Sequence, residues 1–547
     1  MGYSIRFACK GETTMRISKH TLAALLTAAS AFGTTGLPVL AADPTPDADI
    51  TVENALSGSY EVYQLFTGTF SANGNLGDLT VNPLIKTDLV SAIQHFDPKF
   101  ELDASSSETD QANTLALKVA ALCNGDNTKE GRAFANELAG ILTAAPTTTV
   151  QASGGTISLK GLDTGYYLIF AAKDNTTAKT SALLVPARSG ENTIALKATQ
   201  PAATKTAVGY GETGAGSTSV DQEVSDGKIL PPTYTIKGTV ASNIDDFASY
   251  PYSIVDTLPA GVTTEAKEVE TDWKVSITAE AGSKSVDLTS TAATTVNTAG
   301  TVITWSFTDL KSALLQGGIA EADLASTVVS VLYTPVFDDT DFQNLYAQAS
   351  VLDAPMTNTA QVVFASNPYA GGEGATSPTE ADLPGSQVFT YSWNLKLTKQ
   401  DENQKPVTGA AFEITDPDGH VIGNNITASD DGSFTFTGLK SGVEYTLKET
   451  SVPAGYQAID PITFTITETK DPSGKVSAIA VTKISDPDQA AAFTVSNADV
   501  NGVILNLTGP VMPTTGQNGV LLAGALGAGL TAVCTVVLMK RRKQKES

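Results

Sequence analysis

From about residue 50 to residue 507 the chain is written in short apolar runs that alternate with polar residues and are cut at close intervals by Gly, Pro, Asp and Asn. Tyr60-Glu61-Val62-Tyr63-Gln64-Leu65-Phe66, Thr233-Tyr234-Thr235-Ile236, Val302 to Phe307 and Val328 to Tyr333 have the two-residue period of a half-buried strand. Gly165 to Phe170 is apolar almost throughout and reads as a strand buried on both faces. Asp416-Pro417-Asp418-Gly419, Asp430-Asp431-Gly432 and Pro453-Ala454-Gly455 separate such runs as tight turns do. A period of two with frequent turns buries apolar surface only by pairing strands and stacking sheets, so the chain is expected to be mainly β, as tandem β-sandwich domains. Helical spacing occurs at Asp88 to Ile93 and from Gln111 to Leu142, which read as helical insertions in the first domain.

Composition narrows the function classes. The 547 residues carry 34 Lys plus Arg against 58 Asp plus Glu, a net charge of -24, which is the wrong sign for a nucleic-acid partner. Three His and three Cys leave little material for zinc sites, His-based triads or a disulfide framework. His95 and His420 fall in different domains with no nucleophile motif nearby, and Trp305 and Trp393 read as packing residues. Asp416-x-Asp418-Gly419 echoes part of a calcium loop but lacks the acidic end ligand, so it reads as a turn. No phosphate loop or dinucleotide fingerprint occurs; neither a metal nor a cofactor is expected.

The two ends read as addresses. Arg6, Lys10, Arg16 and Lys19 precede the apolar run Leu22 to Ala29, with small residues near Ala41, the layout of a secretory signal peptide over residues 1–41. Met15 would open a more compact signal. At the other end, residues 520–539 form an apolar run long enough to span a bilayer as a C-terminal transmembrane helix, followed by Lys540, Arg541, Arg542, Lys543 and Lys545. Just before it stands Met512-Pro513-Thr514-Thr515-Gly516. This motif, apolar helix and basic tail in that order resemble the sorting signal of Gram-positive surface proteins cut by sortase between Thr and Gly, with Met512 where Leu is usual. Cys9 and Cys534 fall in these end segments, so Cys123 is the body's only thiol and no internal disulfide is available.

The expected organisation is a signal over 1–41, a first domain over 42–199, a middle domain over 200–367, a Gly- and Pro-rich linker over 368–387, a C-terminal domain over 388–511 and the sorting signal over 512–547. In the last domain, Gly409 to Ile414, Gly432 to Leu439, Tyr445 to Thr450 and Pro453 to Tyr456 together resemble the Cna B-type domain of Gram-positive backbone pilins of the SpaA/FimA kind. That resemblance implies an immunoglobulin-like sandwich in which a first-strand Lys and a last-strand Asn join in a spontaneous isopeptide bond assisted by an acid. The matching residues are Lys399, Asn506 and Glu449. On residue types alone, Lys399 and Glu449 read equally as an ordinary ion pair. The chemistry fits burial: it favours the neutral, nucleophilic amine and a protonated carboxyl that polarises the Asn carbonyl.

The middle domain is similar to the second domain of the same pilins, which implies Lys205, Asp256 and Asn358, with Asn367 as a rival for Asn358 and a turn role as the alternative for Asp256. In the family a Lys at the first interdomain junction attacks the sortase-bound Thr of the next subunit. The positional match is Lys197 on the last strand of the first domain, although Ala195-Leu196 replaces the usual Tyr-Pro. The first domain shows no comparable triple.

The resemblance implies a major pilin, a structural sortase substrate and not a turnover enzyme, linked from Thr515 to Lys197 of the next subunit into a fimbrial shaft at the cell surface. Its partners would be sortase, identical pilin subunits and ancillary pilins, peptidoglycan, and host surface ligands. The other reading from the same features is an ancillary pilin or monomeric wall-anchored adhesin, which needs no reactive Lys197.

Overall fold

The structure, a computed structural model, describes residues 48–509 except 126–127, 174–179, 198, 211, 222, 226–227, 337–351, 353–354, 370–375, 380–384, 428, 489 and 497–498. The signal, the motif Met512 to Gly516 and the apolar run 520–539 lie outside the described residues. Among the described residues no helix is long and apolar enough to cross a membrane. The fold is mainly β, with three successive units that each stack two sheets.

In the first unit, Ala48–Ala55 pairs antiparallel with Gly155–Leu162 and parallel with Gly190–Ala195. The facing sheet runs Leu76–Val81, Gly58–Phe70, Gly165–Ala171, Leu183–Ala187, with Thr148–Ala152 also on Gly58–Phe70. Alternation explains why Gly165–Ala171 reads as doubly buried. Tyr167 and Ile169 point into the core between the sheets, while Leu168 and Phe170 point into a second core under the helices. The segment expected as one helical stretch is two helices, Glu108–Cys123 and Lys129–Ile141, capped by Ser107 and Thr128. Together with Lys86–Phe96 they cover the sheet through Leu89, Ile93, Leu115, Phe134 and Leu138.

In the middle unit one sheet runs Lys284–Asp287, Lys274–Ala281, Val328–Thr334, Thr233–Thr239, Ala203–Val208. Its partner runs Ser219–Asp221, Gln387–Tyr391, Met356–Ala365, Tyr252–Thr257, Val302–Phe307, Ala293–Val296. Trp305, Tyr234, Tyr252 and Tyr333 fill the space between them. The third unit stacks Ser433–Leu439, Trp393–Asp401, Asp499–Asn506 and Ala491–Ser496 against a five-stranded sheet holding Ala411–Thr415 and Glu444–Ser451. Trp305 and Trp393 are both core residues, 1% and 0% exposed.

One boundary differs from the sequence expectation. Thr376–Pro378 and Gln387–Tyr391, expected as linker and as the opening of the third domain, both pair with Met356–Ala365 in the middle sheet. The reason is that Gln387–Tyr391 serves two cores: Val388 packs in the middle core, Phe389 and Tyr391 in the C-terminal one. The same joint is closed by Asp221, whose Oδ2 accepts from the Ser441 amide and hydroxyl at 2.7 Å each.

Burial, and then the neighbouring Glu468 carboxylate, push the Asp221 carboxyl above the ordinary acid range. The folded joint therefore keeps a proton that the unfolded chain has released, so stability falls as pH rises through the raised value. Asp221→Asn, which keeps the shape and removes the charge, should raise the thermal midpoint at about pH 8 by the equivalent of about 1 kcal/mol. It should also flatten the pH dependence between about pH 5 and about pH 8 in thermal melts.

Candidate functional site

Lys205 sits on Ala203–Val208 at a position where the alternation turns every second residue inward. A long aliphatic stem followed by an amine then ends between the sheets, with no exposed surface. Asp256 comes from Tyr252–Thr257 and Asn358 from Met356–Ala365, neighbouring antiparallel strands of the facing sheet, 0% and 2% exposed. Lys205 Nζ is ion-paired with Asp256 Oδ1 and donates to Asn358 Oδ1 at 2.9 Å. The rival Asn367 lies beyond the end of its strand and accepts from the Tyr369 amide.

A fourth polar group completes this cluster. The Tyr333 hydroxyl donates to Asp256 Oδ2 and lies 3.0 Å from both Lys205 Nζ and Asn358 Nδ2. Sequence reading did not single it out, because in Val328–Thr334 it occupies one more inward position of an ordinary alternating strand. Aromatic rings wall the amine: Nζ stands 4.8 Å from the Tyr234 ring centre and 5.2 Å from that of Tyr333. Burial lowers the Lys205 amine to about 8, against the opposing attraction of Asp256.

In the third unit, Lys399 lies on Trp393–Asp401 and Asn506 on the parallel neighbour Asp499–Asn506. Lys399 pairs in register with Ile504 and Asp401 with Asn506, so Lys399 and Asn506 are offset by two residues on one inward face. Both are 0% exposed. Glu449 reaches across from Glu444–Ser451 in the facing sheet and pairs with Lys399 at 2.8 Å, while its Oε2 accepts from the Ile459 amide. The Lys399 amine lies 4.8 Å from the centre of the Phe412 ring, and burial lowers its pKa against the pull of Glu449. Both side-chain polar atoms of Asn506 are buried with no hydrogen-bond partner among the described residues.

Lys197 is not on a strand: Gly190–Ala195 ends two residues earlier. The Leu196 amide bonds to Glu53 O at 2.9 Å in the first unit, and the Thr199 amide to Ser242 Oγ at 3.0 Å in the middle unit. The exposed Lys197 therefore stands on a short bridge held at each end, beside a shallow cleft lined by Leu56, Thr180, Pro201 and Asn243.

Asp416, Asp418 and His420 bring their ligand atoms within 4.8 Å of one another. The Asp416 carboxylate accepts from the backbone amides of Asp418 and His420, which is the bonding of a tight turn.

Chemically, each buried cluster holds an amine, a carboxyl and a carboxamide out of water. That is the set needed for an amine to displace ammonia from an amide within one chain. Comparison with known proteins bears on the last unit: residues 393–481 match the SpaA family model, described as a prealbumin-like fold domain. No curated protein matches the chain. Among solved structures, the chain is similar to the T6 backbone pilin of serotype M6 Streptococcus pyogenes, at 14% identity and TM-score 0.46, covering 86% of this chain and 100% of that one. It is similar to the major pilin SpaD of Corynebacterium diphtheriae at 17% identity and TM-score 0.39, covering 85% and 98%. It is also similar to the major pilin SpaA of the same species at 14% and 0.39, covering 84% and 100%.

The lowered lysine gives a check on the middle cluster. In an Asn358→Ala variant, which cannot crosslink, the unfolded chain holds the Lys205 proton up to about 10.5 whereas the fold releases it at about 8. The folded state binds fewer protons in that window, so chemical-denaturation stability should rise with pH between those values, on the order of 3 kcal/mol.

Proposed function

We propose that the chain is a backbone pilin subunit, exported, joined covalently to its copies by a sortase and carrying its own Lys–Asn isopeptide bonds. The observation that carries this reading is the occurrence, in two successive units, of a fully buried lysine paired with an acid beside a buried asparagine. A stability role alone explains such clusters poorly, because a buried ion pair recovers little of its desolvation cost. A neutral amide crosslink removes that cost altogether.

In each domain the neutral amine attacks the Asn Cγ, the carbon–nitrogen bond to Nδ2 breaks and ammonia leaves. Close confinement replaces a bimolecular encounter, with effective molarities up to about 10⁵–10⁸ M. The middle-domain bond, Lys205 to Asn358, would bridge the two sheets; the C-terminal bond, Lys399 to Asn506, would staple the first and last strands. The exposed Lys197 suits the other reaction, since a thioester carried by a separate enzyme needs an amine that water and protein can reach. Sortase would cleave after Thr515 and join it to Lys197 of the next subunit. The last subunit would pass to peptidoglycan by the same Thr515, giving a cell-wall-anchored fimbrial shaft. No part of this makes the chain a turnover enzyme.

Intact-mass spectrometry of the full-length chain, made by cell-free synthesis in detergent so that no processing occurs, should give a mass two ammonia losses below that of the sequence. Lys205→Ala and Lys399→Ala should each restore one. A mass equal to the plain sequence would remove both bonds from the account.

Polymerisation is read on a denaturing gel of wall extracts from a sortase-bearing host. A high-mass ladder should appear with the wild-type chain and disappear with Lys197→Ala. A ladder unchanged by that substitution would exclude Lys197, and a single band from the wild type would point to a monomeric wall-anchored adhesin.

A further inference from the structure

The middle-domain cluster contains a group that the lysine, acid and amide do not account for. Both Asp256 oxygens are engaged, Oδ1 by Lys205 Nζ and Oδ2 by the Tyr333 hydroxyl, and it is the hydroxyl that lies 3.0 Å from Asn358 Nδ2. Tyr333 has no exposed surface, and its ring is stacked on Tyr234 and Trp273 with Trp305 tilted against it, so the hydroxyl is fixed. We propose that Tyr333 is a further catalytic residue of the middle-domain crosslinking reaction, relaying a proton from Asp256 to the departing nitrogen of Asn358. This inference rests on the crosslinking reading given above.

The steps balance without a co-reactant. One proton leaves Nζ for the Tyr333 oxygen as the phenol proton passes to Asp256 Oδ2, leaving a neutral amine, a neutral acid and a neutral phenol. The amine lone pair forms the bond to Asn358 Cγ, and the carbonyl π pair moves onto Oδ1. For the intermediate to collapse, Nδ2 must gain a proton and Nζ must lose one. Asp256 Oδ1 accepts the Nζ proton while the Oδ2 proton passes to the Tyr333 oxygen, whose own proton passes to Nδ2. The Cγ–Nδ2 bond breaks with its electron pair on nitrogen and ammonia departs. The collapse leaves Asp256 and Tyr333 as protonated as they entered it; over the whole reaction Nζ gives up two protons, one retained by Asp256 and one carried to Nδ2. Burial and the nearby Asp256 charge raise the phenol well above its ordinary range, which keeps it a neutral shuttle.

The C-terminal cluster is an internal control. There the ring beside the amine is Phe412, which has no hydroxyl, and Asn506 makes no side-chain hydrogen bond among the described residues. Its acid has to act without a relay, so loss of Tyr333 should leave that bond untouched.

The test follows bond formation in time, in the full-length chain made by cell-free synthesis, by quantifying the Lys205–Asn358 and Lys399–Asn506 linked peptides after digestion. Tyr333→Phe keeps the ring stack and should slow the middle-domain bond at least about tenfold while the C-terminal bond forms at the wild-type rate. Wild-type speed for the middle bond in Tyr333→Phe overturns the relay. Should Tyr333→Phe fail to fold, fluorinated tyrosine placed at position 333 keeps the hydroxyl and changes its acidity. A shift in rate with phenol acidity is expected, and an unchanged rate overturns the proposal. Absence of the Lys205–Asn358 peptide from the wild-type chain overturns the crosslinking reading and the relay together, whereas its presence with an indifferent Tyr333 overturns the relay alone.

Discussion

A lysine amine with no exposed surface, closed between two β-sheets, is the constraint on which the middle and C-terminal units are built. Left alone, such an amine would be far too costly to bury, so each fold surrounds it with an acid, an amide and aromatic faces. The strands that carry these groups are fixed in register by that need. Lys205 faces inward only because Ala203 and Ala207 flank it on the same side of its strand, and a slip by one residue would turn the amine into solvent. The same holds for Lys399 on Trp393–Asp401, where Leu395 and Leu397 share its face.

Much of this was legible in the sequence because its signals are local. Strand alternation, Gly-bearing turns and the Ala- and Leu-rich helical segments report on neighbours a few residues away, and the Lys and acid positions ride on the same alternation. Tyr333 was not legible, since nothing in Val331-Leu332-Tyr333 separates a core tyrosine from one whose hydroxyl meets three reactive groups drawn from three other strands. Nor was the joint at Gln387–Tyr391. The Gly- and Pro-rich stretch before it looks like the end of a domain, while the strand's two faces belong to different cores. Lys197 reads as a strand residue because the alternation of Thr193 to Lys197 continues past Ala195, where strand pairing ends.

The two clusters differ in how their lysine and asparagine are separated. In the middle unit they lie on opposite sheets, so a bond there resists the sandwich being pulled open. In the C-terminal unit they lie on adjacent parallel strands, so a bond there resists those strands sliding past one another. The Asn506 amide, buried without a partner among the described residues, is an unfavourable arrangement for a finished structure.

Under the proposed linkage, tension enters a subunit at Lys197 and leaves at Thr515. The crosslinks would divert it from residue 205 to 358 and from 399 to 506, so the intervening strands would carry almost none of it. Residues 48–196 precede the entry point and lie outside the path entirely. A first unit outside the path would need no crosslink to bear load. Along that path the stretches 197–205, 358–399 and 506–515 would stay uncrosslinked; the longest lies between the two sandwiches and holds Gln387–Tyr391, bound into the middle sheet, with Asp221 bound to Ser441 and Lys470 reaching the Ser219 carbonyl at 3.5 Å beside it. With Cys123 as the only body thiol no disulfide spans this joint, so under the proposed linkage non-covalent contacts would have to reinforce it.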